Sequence, residues 1–339
     1  MNILISSHAF APSIGGIETV SALLAAEFVR SGHPVKLVTQ TAAEGNFVPH
    51  ASINLLRRPS VGQLLKVIGW CDVFWQNNLS LRTLWPALLW SKPVVITHQG
   101  SYCRRPSGLD LVQRLKHTIV QHTTSVAVSK AVAACFATNS TIIPNPYAAE
   151  NFSVETPRQE RVADLIFLGR LVNEKGIDVL LEAVAILKRR GLTPSLTIVG
   201  AGLQLSTLEQ LATSLGLNDQ VTFAGPKRER ELAGLLRQHK ILVVPSRYDE
   251  PFGVVALEGI ACGCVVVGSE GGGLPEAIGP CGATFPNGDV NALAAMLESL
   301  LRAPDLQARF LTKAPQHLAK FHPTRIAEAY LTLFRAKLS

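Results

Sequence analysis

The sequence predicts an α/β chain of two doubly wound domains, each a parallel sheet covered by helices. Short apolar, β-branched runs alternate with stretches of helical spacing along the 339 residues, a polar stretch interrupts the alternation near the middle, and the same rhythm then restarts. With 47% apolar and 17% charged residues, the chain has the apolar surface that disordered chains lack, so compact domains are expected.

Met1 runs into an apolar first strand at 3–6 with no basic leader or small-residue cleavage site, so the chain is expected to stay in the cytoplasm. Ile17, Val20, Leu23, Leu24 and Phe28 recur at near i, i+3, i+4 spacing and mark the first helix, which stops near Gly32. Further strands are read at 35–39, 73–76, 94–98, 125–129 and 141–143. The most apolar stretch, 84–96, contains Pro86, Lys92 and Pro93 and falls short of the roughly 20 apolar residues a bilayer core demands. From 148 to 161 the sequence turns polar and irregular around Pro157, as a linker between separately packed cores does. Strands resume at 164–168, 196–199, 221–223, 241–245 and 265–268, and the pattern beyond Asp289 is helical. The last helix, 324–337, carries Ile326, Tyr330, Leu333 and Phe334 on one face and must bury that face. The expected layout is a domain at 1–147, a linker at 148–161, a domain at 162–320 and a closing helix at 321–339.

Residues 1–150 hold 12 Lys/Arg against 6 Asp/Glu, so +6 of the net +7 lies in the first half. Such an excess attracts phosphates, acidic sugars or anionic lipid surfaces, or serves solubility alone. Cys71, Cys103, Cys135, Cys262, Cys264 and Cys281 stand in mostly apolar surroundings, with no C-x-x-C pair and no His at a zinc-like spacing, and read as reduced structural thiols.

Ligands of open parallel sheets gather at the carboxyl ends of strands, which directs attention to four loops. In the first, Gly15 and Gly16 precede a helix and let backbone N–H groups approach an anion, although an ordinary strand–helix turn fits as well. The dinucleotide fingerprint G-x-G-x-x-G is absent there and fails at Gly200-Ala-Gly202, where Leu205 takes the place of the third Gly, so a nicotinamide enzyme lacks support. In the second, Arg170 and Lys175 together could neutralise a diphosphate, the alternative being a solvated basic turn.

The third loop runs from Ser246 into an apolar helix and carries Glu250 and Glu258. With Pro251 in the first turn of that helix, the two acids would lie roughly 12 Å apart along its axis, near the span from sugar ring to ribose in a nucleotide sugar. N–H groups at 252–255 would lie between them, where a phosphate benefits from the helix dipole. A capping acid plus a solvated acid explains the pair less well, because Glu258 sits among apolar residues. In the fourth, His98 ends a strand, and both a ligand contact and a hydrogen-bonded loop residue fit it.

At these residues the chain resembles family 4 of the retaining GT-B glycosyltransferases, the glycosyl transferases group 1. E-P-F-G-V-V-A-L-E (250–258) looks like the family's E-x7-E signature. The likeness continues through G-R-L-V-N-E-K-G (169–176), S-E-G-G-G-L-P-E (269–276), I-P-N-P (143–146), G-G-I-E (15–18), T-H-Q-G (97–100) and F-H-P-T-R-I-A-E-A-Y (321–330). It implies two Rossmann-like domains facing a cleft, with the closing helix crossing back to the first. It also implies metal-independent, retaining transfer of a sugar from a UDP-, GDP- or ADP-sugar to a hydroxyl of a glycan or lipid-linked glycan, as in polysaccharide or lipopolysaccharide assembly. Arg170 and Lys175 would bind the donor diphosphate, Glu250 the donor sugar and Glu258 the ribose. Backbone at Gly15, Gly16, Phe252, Gly253 and Val254 would contact sugar or phosphate, and His98 would line the reaction centre.

No cofactor is expected, and no D-x-D pair is present to hold a divalent cation between phosphates. Segment 102–117 mixes Leu109, Val112 and Leu115 with Arg114 and Lys116 in helical register; its apolar face fits packing onto the sheet, and with the +6 excess the segment points to peripheral contact with the inner face of an anionic membrane. Nucleic acid is not an expected partner. The rival readings are a catalytically silent binding partner on the same scaffold and a nucleotide-sugar epimerase.

Overall fold

A computed structural model describes residues 1–11, 15–42, 53–90, 92–100, 118–136, 140–154 and 161–338. Residues 12–14 of the glycine loop, 155–160 of the expected linker and the 102–117 segment read as lipid-facing lie outside the described residues. The chain divides into two compact units, Met1–Pro146 with Phe321–Ser339, and Tyr147–Lys320.

The first unit is built on seven parallel strands: β1 (Ile3–Ser7), β2 (Val35–Thr39), β3 (Ile53–Arg57), β4 (Val73–Asn77), β5 (Val94–His98), β6 (Thr124–Ala127) and β7 (Thr141–Ile142). Their order is β3-β2-β1-β4-β5-β6-β7. Alternation along β1 and β4 sends side chains to both faces. Ile3, Ile5 and Trp75 pack with Phe28, Tyr330 and Phe334 on one side. Leu4 and Phe74 pack with Leu64, Ile68 and Ile96 on the other.

The terminal helix, Pro323–Leu338, belongs to this unit because its apolar stripe completes that first face. Phe334 meets Phe28 at 5.8 Å and Tyr330 meets Trp75 at 5.0 Å between ring centroids. The Tyr330 hydroxyl is 2.8 Å from Thr97 Oγ1, which also accepts from Trp75 Nε1 at 2.8 Å. The helix that the sequence left in search of a surface thus returns to the first domain.

Six parallel strands form the second unit: β8 (Ala163–Leu168), β9 (Leu196–Val199), β10 (Val221–Gly225), β11 (His239–Val244), β12 (Val265–Ser269) and β13 (Gly282–Phe285). They run in the order β10-β9-β8-β11-β12-β13. Leu165, Phe167, Val243 and Val267 bury against Leu180, Val184 and Leu187 of helix Ile177–Arg189 and Leu293 and Leu297 of helix Val290–Arg302. Ala148 and Phe152 are buried, and Arg161 donates to the carbonyls of His239 and Cys262.

Cys71, Cys262, Cys264 and Cys281 are free buried thiols, as the sequence suggests, whereas Cys135 is disulfide-bonded and departs from that expectation. Among the described residues, no helix is long and apolar enough to cross a membrane.

Candidate active site

In the second unit the chain winds outward from β8 through β9 to β10, then returns beside β8 at β11 and winds out to β13. The carboxyl ends of β8 and β11 therefore flank the switch point at which open α/β sheets bind ligands. Loops after β8, β11 and β12 are tied together there by their backbones. Arg247 N donates to Glu174 O at 2.9 Å, Gly273 N donates to Glu250 O at 2.6 Å, and Glu250 pairs with Gly272 as a parallel bridge.

Two glycines make this approach possible. Gly176 has φ +64°, and a Cβ on it would stand 2.0 Å from Pro245 O. Gly272 has φ +72°, and a Cβ there would stand 2.2 Å from Glu250 O. Both positions exclude any side chain by backbone conformation and by space.

The converging loops bring Lys175 and Glu250 together. Glu250 is 5% exposed; its Oε1 accepts from Lys175 Nζ at 2.5 Å and Ser246 Oγ at 2.6 Å, and its Oε2 from Tyr248 OH at 2.6 Å. Three donors, one of them cationic, offset the cost of burying this carboxylate. Lys175 Nζ also donates to Tyr248 OH at 3.3 Å and lies 5.2 Å from the ring centroid. Burial and the neighbouring Glu250 carboxylate raise the Tyr248 hydroxyl well above the usual phenol range. Arg170 is exposed and takes no ion-pair partner among the described residues, although its charge is felt at Tyr248.

The helix after β11 starts later than the sequence suggests. It runs Val254–Ala261, capped by Gly253 at φ +94°, and Pro251 lies before it. Glu250 is held in the bridge to Gly272 and is not on the helix, so the axial spacing of 12 Å, which assumed one continuous helix, does not apply. No side chain caps this N-terminus; the Ala256 N–H donates to Gly253 O at 3.0 Å, and the N–H groups of Val254 and Val255 are left to a ligand or solvent. Phe252, 2% exposed, anchors the preceding turn.

Glu258 is half-buried on that helix, and no side chain donates to its carboxylate among the described residues. Burial pushes the Glu258 carboxyl up to about 7. The folded state therefore holds the proton more tightly than the unfolded chain, so this group lowers stability as pH rises from about 4.5 through about 7. Glu258→Gln is expected to flatten that slope and to be on the order of 1 kcal/mol more stable than the parent at pH 8, measured by urea denaturation. An unchanged slope would show that burial of this carboxyl is not felt.

Gly15, Gly16 and His98 belong to the first unit. Gly15 caps helix Gly16–Arg30 in extended conformation, and the Glu18 carboxylate of the first turn lies 2.5 Å from where a Cβ on Gly15 would be. Asn77, at the end of β4, donates to Ile17 O at 3.2 Å and to Ser21 Oγ at 2.8 Å, fixing the helix start to the sheet.

His98 ends β5 with no exposed surface, its ring stacked on Phe136 at 3.9 Å and Nε2 2.9 Å from Ser125 Oγ. Burial lowers its pKa to about 4, so the imidazole is neutral at pH 7. The expectation that His98 lines a reaction centre thus meets an enclosed ring. The exchanging amides of Gln99 and Asn145, 2.7 and 2.9 Å apart, carry the polar network of that loop instead. Ser246 and Tyr248, which complete the Glu250 shell, were not singled out from sequence. Their closeness to Glu250 in the chain was the available signal. Among the described residues, no group of three or more His, Cys, Asp or Glu is placed to hold a metal ion.

Residues 149–317 match the family described as "Glycosyl transferases group 1". A D-inositol 3-phosphate glycosyltransferase of Corynebacterium jeikeium is 40% identical over 177 residues, 50% of this chain and 42% of that protein. The uncharacterized glycosyltransferase YqgM of Bacillus subtilis is 34% identical over 197 residues, 57% of this chain and 55% of that protein. The matches span about half the length of these relatives. Among solved structures, Anabaena Alr3699/HepE in complex with UDP and glucose aligns with a TM-score of 0.81 at 19% identity, covering 99% of this chain and 100% of that one. WaaG, a glycosyltransferase involved in lipopolysaccharide biosynthesis, aligns at 0.71 and 18% identity over 98% and 99%. At such identities these two establish the fold: α/β, with two parallel-sheet, Rossmann-like domains of the GT-B kind.

Proposed function

From the match of residues 149–317 to the glycosyl transferases group 1 family, we propose that the chain is a retaining, metal-independent glycosyltransferase. Its donor is a nucleoside-diphosphate sugar and its acceptor a hydroxyl of a glycan or lipid-linked glycan. The observation that carries this reading is the pairing of a cation with a buried carboxylate at the switch point: Lys175 for diphosphate, Glu250 for sugar hydroxyls.

Arg170 and Lys175 stabilise the charge that grows on the departing diphosphate, assisted by the N-terminus of helix Val254–Ala261. The acceptor oxygen bonds to the anomeric carbon on the face the diphosphate leaves. The bond from that carbon to the diphosphate oxygen breaks, and the acceptor proton passes to the departing phosphate. Phe252, Gly253 and Val254 contact sugar or phosphate through their backbones. Glu258, short of donors, receives the ribose hydroxyls, which would lower its pKa again. His98, neutral and enclosed, holds the shape of the loop at 97–100. The basic first half and the exposed Trp85 and Trp90 support contact with an anionic membrane, which suits a lipid-linked acceptor.

A thermal-shift panel of UDP, GDP, ADP, CDP and dTDP without added metal tests the donor side. One diphosphate at about 100 times its Kd is expected to stabilise the protein by roughly 2.7 kcal/mol. No shift with any of them would overturn the reading. Selective binding without transfer to any acceptor would favour the catalytically silent partner.

A further inference from the structure

Tyr248 has no part in the reading above, yet it touches both groups on which that reading rests. An ionised carboxylate offers about four acceptor positions. On Glu250, Oε1 is filled by Lys175 and Ser246, while among the described residues Oε2 accepts from Tyr248 alone. The remaining position on Oε2 is open to a ligand hydroxyl.

The direction of the phenol proton is fixed by the same contacts. An ammonium can only donate, so the 3.3 Å contact from Lys175 Nζ uses a lone pair of the Tyr248 oxygen and turns its O–H toward Glu250 Oε2. With the ring also 5.2 Å from the ammonium, one side chain holds the cation and the carboxylate in a fixed mutual arrangement.

We propose that Tyr248 is a positioning residue that orients the Glu250 carboxylate, so that the site distinguishes a sugar-bearing donor from the bare nucleoside diphosphate. This rests on the assignment of Glu250 to the donor sugar. Without the phenol, Oε2 has two unfilled positions and the carboxylate is free to turn fully onto Lys175. The sugar hydroxyl then loses an oriented acceptor, while the ammonium still meets a phosphate.

Tyr248→Phe removes the hydroxyl and keeps the ring. Calorimetric titration of UDP against UDP-glucose, and of GDP against GDP-mannose, measures affinity for each pair in parent and variant. With the nucleotide pair that the parent binds, the sugar-bearing member is expected to weaken about tenfold and the bare diphosphate less than about twofold. The KM for the sugar donor should rise in step, with kcat less affected. Ser246→Ala, which removes a donor from Oε1 and leaves Oε2 untouched, should change the ratio of the two affinities less than Tyr248→Phe does. Equal weakening of both members would make Tyr248 a structural support of its loop and overturn the proposal, as would unchanged affinities. If the parent binds none of these four, nor ADP or ADP-glucose titrated as a third pair, the functional reading fails and this inference with it. If the parent binds and Tyr248→Phe matches it, the positioning role alone fails.

Discussion

Lys175→Ala is expected to lower kcat/KM for the sugar donor by at least about a hundredfold. The estimate follows from what one preorganised donor contributes where charge develops on a leaving group. The substitution also strips Glu250 of the cationic partner it has among the described residues and leaves a buried carboxylate held by two hydroxyls. Breaking a fully buried pair costs about 3–5 kcal/mol. Because the Lys175 side chain keeps 18% of its exposure, about 2 kcal/mol is the expected loss in urea denaturation. The two effects separate in Lys175→Met/Glu250→Gln, which should regain most of the stability and none of the activity. A Lys175→Ala protein with donor kinetics near those of the parent would remove this residue from the diphosphate site.

Phe334→Ala should be the most damaging single substitution in the terminal helix. Phe334 is fully buried against Phe28 and Tyr330, and large-to-small replacement of such a ring costs about 3–5 kcal/mol. The loss is expected in the unfolding transition of the first unit, followed through the fluorescence of Trp75, which packs on Tyr330. A change below about 1 kcal/mol would mean that the helix is dispensable to that core.

Interior strands were legible because full burial on both faces demands continuous apolar runs, as in β1, β4, β11 and β12. The two strands that sequence reading missed, β3 and β13, each stand at one edge of a sheet. Ile53-Asn-Leu-Leu-Arg57 buries one residue fully, and Gly282-Ala-Thr-Phe285 likewise one, so neither needed a strong apolar signature. The terminal helix was legible from its stripe, whereas its destination followed only from the family resemblance, since Phe28 and Trp75 lie hundreds of residues away in the chain and no local pattern points to them.

At the site, residue types were readable and their arrangement was not. Glu250 reads as a helix residue when Pro251 follows it, yet the left-handed Gly253 and the bridge to Gly272 take it off the helix. The Tyr248–Glu250–Lys175 cluster arises only when loops from β8 and β11 meet, a fact of topology rather than of local pattern. His98 fits both of its sequence readings at a strand end, and only the stacking of Phe136 shows the ring to be enclosed.

That the first unit is assembled from Met1–Pro146 and Phe321–Ser339 has a consequence for biosynthesis. The ribosome delivers the β1–β4 face early, but the helix that covers Phe28 and Trp75 emerges only after the whole of Tyr147–Lys320 has been made. At about 5–20 residues per second, that apolar face waits on the order of ten to fifty seconds for its cover. The second unit, contiguous in sequence, can close as soon as it leaves the tunnel, so the half of the molecule synthesised first is the half that finishes folding last.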